Sequence, residues 1–131
     1  MKFRKGFVTN SSSSSFILGF KEDEDVRYTI FSIFPKYIKS SYVGYLIDEI
    51  ETNLVNFEDA ANEYAYYTGD RYSKESINYK KAYDDFVREF HDQYSKFSVI
   101  EVSDNDGEFW SMVEHDILPN AYCTLLRISH H

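Results

Sequence analysis

The stretch SINYKKAYDDFVREFHDQYSKFSVIEVS, residues 76–103, changes its apolar period partway along. Tyr79, Tyr83, Phe86, Phe90, Tyr94 and Phe97 step by 4, 3, 4, 4 and 3, which predicts one aromatic stripe down one helix face. Side chains at that spacing ordinarily pack a core, and a ligand groove is the less common alternative. Ser98–Ser103 (SVIEVS) is then rich in β-branched residues and reads as a strand. A helix pattern running straight into a strand pattern points to mixed α and β structure.

Working outward, Ser73 and Ser76 offer an N-terminal cap for that helix. Upstream, apolar positions 43, 46, 47, 50, 54 and 57 predict a helix over Tyr42–Phe57. A second helix over Glu58–Tyr67 stops near Gly69. Val26–Phe34 (VRYTIFSIF) is β-branched and aromatic and is closed by Pro35, so it reads as a strand. Ser15–Phe20 (SFILGF) reads as a short buried strand. Downstream, Asp104-Asn-Asp-Gly107 is a turn signal, Glu108–Leu118 suits a short helix broken at Pro119-Asn120, and Ala121–Ser129 (AYCTLLRIS) reads as a last strand. The expected fold class is α+β, with strands near 15–20, 97–103 and 121–128 in one antiparallel or mixed sheet packed against two or three helices.

At 131 residues the chain has the length of one domain, 1–131. Residues 1–15 form a basic arm and a polyserine loop, and His130-His131 are either native or the remnant of a tag. Fourteen Lys and Arg against 22 Asp and Glu leave a net charge of −8, which disfavours direct binding to a nucleic acid. The 12 Tyr suit core edges and interfaces, since each joins an apolar ring to a hydroxyl. One cysteine, Cys123, permits no intramolecular disulfide, and its apolar strand setting reads as a buried, inert thiol. Phe16–Phe20 is too short to span a bilayer, and polar Thr9–Ser15 stands where a signal peptide would be apolar. A cytoplasmic location with no membrane partner is the expectation.

Three groups of residues could carry chemistry. Lys2, Arg4 and Lys5 precede Asn10, Ser11, Ser12, Ser13, Ser14 and Ser15, a loop rich in donors that could hold an anion or dock on a partner. It lacks the glycines and the Gly-Lys-Ser/Thr ending of a nucleotide-binding loop. Asp104 and Asp106, followed by Glu114 and His115, supply carboxyls and one imidazole that suit Mn²⁺ or Mg²⁺. The same segment fails as a calcium loop, because Val102 and Val113 would fall at its first and twelfth positions. The bland alternative is a turn followed by an acidic helix start. Asp85, Glu89 and Asp92, at i, i+4 and i+7, form an acidic row that could meet a partner or imitate a phosphate backbone, although such rows are usually only solvated. No nucleophile system is complete, and His91 has no ligand at zinc-site spacing.

The opening Phe7-Val-Thr-Asn-Ser-Ser-Ser-Ser-Ser-Phe-Ile17 resembles the start of a group of small uncharacterised proteins of bacteria and their phages. These begin with a basic arm, a Thr- or Ser-Asn-polyserine run, then Phe and an apolar strand. The segment Ser103–Gly107 with Glu114-His115 is similar to a stretch in some of them. The resemblance implies a bacterial or phage setting and no particular activity. The leading expectation is a non-enzymatic accessory protein, without a cofactor, that binds a macromolecule, most simply a protein, through Tyr-rich and acidic helix surfaces, with inhibition of that partner as one form of the binding. The alternative is a metal-dependent enzyme or anion-binding module built on the serine loop and Asp104, Asp106 and His115.

Overall fold

Strand β1 (Ser13–Phe20) is the axis of a four-stranded antiparallel sheet whose order is β2-β3-β1-β4. The computed structural model describes residues 13–130. On one side β1 pairs with β3 (Lys96–Ser103) in an unbroken register from Ser13↔Ser103 to Phe20↔Lys96. On the other it pairs with β4 (Thr124–His130), with irregularities at Ser15/Phe16 and Ile17/Leu18. The two-residue strand β2 (Leu54–Val55) borders β3. The expected α+β domain, with the three anticipated strands in one sheet, is what forms.

Helices cover both faces, so seven of the eight β1 residues are buried. Period 2 sends Phe16, Leu18 and Phe20 to one face, where they join Ile100, Val102 and side chains of α1 (Val26–Ser32) and α2 (Ser40–Thr52). It sends Ile17 to the other, against Ala60 and Ala61 of α3 (Phe57–Thr68) and Phe86 and Phe90 of α4 (Ile77–Phe90). Full burial of a ring such as Phe16 or Phe97 stabilises the fold by roughly 1.5–3 kcal/mol.

Several expected boundaries move. Val26–Ser32 is a helix rather than a strand: Asp25 caps it by accepting from the backbone N–H of Arg27 and Tyr28, and Val26 and Ile30 bury one turn apart. Both neighbours of β1 are also already strands, which leaves no adjacent place for it. The helix expected over Tyr42–Phe57 ends at Thr52; Leu54 enters β2, and Phe57 opens α3 behind the Asn56 cap. Ser76 caps α4 as anticipated, but that helix stops at Phe90. The aromatic stripe nevertheless continues in space, since Tyr94 packs on Phe90 and on Phe97 of β3. Ser13, Ser14 and Ser15 belong to β1 and not to a loop.

After β3 a 3₁₀ turn (Asp104–Asp106) leads to α5 (Glu108–Met112), a π-helical segment (Val113–Ile117) and a closing turn, α6 (Leu118–Asn120). Helical structure passes through Pro119 instead of breaking before it. Proline has no N–H to donate and its ring opposes the carbonyl four residues back, here that of His115, which accounts for widened i→i+5 bonding at this point.

Candidate metal centre

The π segment turns Val113, Glu114 and Ile117 inward, and Glu114 is fully buried. A glutamate in that position requires polar neighbours. Ser14 of β1 lies on the same sheet face as Phe16, and its hydroxyl donates to Glu114 Oε2 at 2.7 Å. Arg127 of β4 stands opposite Phe16 and reaches the same place, with Nη2 3.9 Å from that oxygen. Its Nε and Nη2 donate to the Ser14 hydroxyl at 3.1 and 2.8 Å.

The other oxygen, Oε1, faces the next residue. His115 Nε2 lies 3.3 Å from Glu114 Oε1 and 3.4 Å from Asp104 Oδ2. Asp104 begins the 3₁₀ turn directly after β3, where the Ser103 hydroxyl accepts from the Asn105 backbone N–H and fixes the turn. One donor atom from each of Asp104, Glu114 and His115 lies within 4.8 Å of the other two. The group runs from a buried carboxyl to a half-exposed imidazole, so solvent reaches one side.

Of the residues singled out from sequence, the structure therefore brings Asp104, Glu114, His115 and Ser14 together. Asp106 is exposed and stands outside the group. Ser13 pairs with Ser103, and Ser15 turns to the opposite face, where it borders the same cleft as Tyr67. Lys2, Arg4, Lys5, Asn10, Ser11 and Ser12 lie outside the described residues, as does His131. The acidic row is not a row: Asp85 pairs with Arg88, Glu89 is exposed on α4, and Asp92 falls beyond the helix end with a left-handed φ of 65°. Arg127 was not anticipated. The available signal was its place as the one charged residue in an otherwise uncharged strand, AYCTLLRIS.

Elsewhere Ser15, Tyr67, Glu49, Asp59, Glu63 and Glu101 border a cleft of about 690 Å³. Burial, and then the neighbouring Asp59, raise the pKa of Glu63, and burial raises that of Tyr67. Among the described residues no helix is long and apolar enough to cross a membrane. No protein-family model, curated protein or solved structure matches the chain.

Proposed function

We propose that this domain binds a divalent transition-metal ion through Asp104, Glu114 and His115. The observation that carries the reading is the position of His115 Nε2, 3.3 and 3.4 Å from one oxygen of each carboxyl. Tetrahedral bonds of about 2.1 Å place neighbouring donors about 3.4 Å apart, so these two spacings already suit an ion. One imidazole with two carboxyls favours Zn²⁺ or Mn²⁺ over the all-oxygen preference of Ca²⁺. Three protein ligands on a solvent-facing site leave coordination positions for water or an anion. Dialysis against Zn²⁺ or Mn²⁺ followed by elemental analysis tests this. The expected result is one equivalent per chain, lost in His115→Ala and Asp104→Ala; a wild-type chain that retains no metal contradicts it.

A second reading, a bacterial or phage accessory protein that binds and inhibits a macromolecule, draws on a different observation. Tyr28, Tyr37, Tyr45, Tyr72 and Tyr122 are each at least 64% exposed. Tyr37 and Tyr42 border an apolar hollow of about 340 Å³ floored by Phe109 and Met112. Exposed tyrosine is favoured at protein contacts. A cytoplasmic setting accompanies either reading and draws on the single, unpaired-by-disulfide Cys123. Replacing Tyr37 and Tyr42 together by Ser should leave metal retention intact, which separates the two readings.

A further inference from the structure

We infer that Ser14 and Arg127 are positioning residues that set how tightly Asp104, Glu114 and His115 hold the ion, an inference that rests on the metal reading above. A serine hydroxyl has one proton and two lone pairs. In Ser14 the proton goes to Glu114 Oε2, and the lone pairs receive Nε and Nη2 of Arg127. Three bonds thus fix a side chain that is itself fully buried. The terminal torsion of glutamate is otherwise broad, so this bond selects the carboxyl orientation in which Oε1 faces His115. Arg127 also opposes the charge of that carboxyl from 3.9 Å. The relay joins β4, β1 and the π segment, and each contributes one member.

Outer partners of this kind typically change metal affinity by 10–100-fold when removed. The test titrates Mn²⁺ and Zn²⁺ into wild type, Ser14→Ala, Arg127→Gln, Arg127→Lys and Ser98→Ala, and records the absorption band of the Co²⁺ form. Ser98 lies on the same sheet face but donates to the Ile50 carbonyl at 2.8 Å, so its loss removes a buried hydrogen bond unconnected to Glu114. Ser14→Ala and Arg127→Gln should weaken Mn²⁺ and Zn²⁺ by about 10–100-fold and shift the Co²⁺ band, while Arg127→Lys restores part of the affinity. Ser98→Ala should match wild type. Wild-type affinity and an unmoved band in Ser14→Ala would overturn the relay, as would an equal loss in Ser98→Ala. If Ser14→Ala does not fold, the Arg127 pair decides, since that side chain is partly exposed; equal affinities in Gln, Lys and wild type overturn the relay. A wild type that binds none of the three ions brings down the metal reading itself and the relay with it.

Discussion

Leu125 of β4 lies directly over Gly19 of β1: a Cβ built on Gly19 would meet Leu125 Cδ1 at 2.8 Å and Tyr94 Cγ at 3.0 Å. The missing side chain therefore leaves room for Leu125 and Tyr94, and the Gly19 N–H donates to the Cys123 carbonyl at 2.8 Å beside them. Gly19→Ala should cost roughly 1–3 kcal/mol through overpacking. Adding Leu125→Ala should recover part of that loss, so the double variant is less destabilised than the sum of the two singles. Urea unfolding of the four proteins checks it, and strict additivity would refute the contact.

Cys123 is 1% exposed, and burial pushes its thiol up to about 11 from an ordinary 9.0. The folded protein should not react with a disulfide reagent at pH 8, and should release one thiol once unfolded. The raised pKa also fixes a sign. This group's contribution to stability is fully present below about pH 9 and is lost as pH rises towards about 11. Reaction of the native protein as fast as in denaturant would contradict both statements.

Glu63 gives the corresponding case in acid. Its pKa lies above the ordinary 4.5, through burial first and Asp59 second, so ionising it in the folded state works against stability. That contribution is present below about pH 4.5 and is lost as pH rises through the folded value. Glu63→Gln should raise the melting temperature at pH 7, and the difference should vanish at pH 4. A variant less stable than wild type at pH 7 would show that the Glu63 charge is compensated in the cleft.

The sheet was legible because Phe16–Phe20 and Phe97–Val102 carry apolar residues on both faces, as strands covered by helices must. Val26–Phe34 has the β-branched and aromatic composition of a strand, but its buried positions, Val26, Thr29, Ile30 and Phe34, carry helical spacing. Polar Ser13 and Ser14 gave no apolar pattern, and only pairing makes them strand, Ser13 with β3 and Ser14 with both β3 and β4. The site divides along the same line. Asp104, Glu114 and His115 fall within twelve residues, and their donor types could be read locally. Ser14 stands 100 residues from Glu114 and 113 from Arg127, in pairings that sequence spacing does not encode.

The most direct test of the metal reading is thermal unfolding with and without Zn²⁺ or Mn²⁺. An ion that binds only the folded chain, held at a hundred times its dissociation constant, stabilises it by about 2.7 kcal/mol. For a domain of this size that corresponds to about 10 °C in melting temperature. Wild type should show a rise of that order which saturates with metal, and His115→Ala and Asp104→Asn should show none. An unchanged wild-type melting temperature at millimolar metal, or an equal rise in both variants, would contradict a site at Asp104, Glu114 and His115.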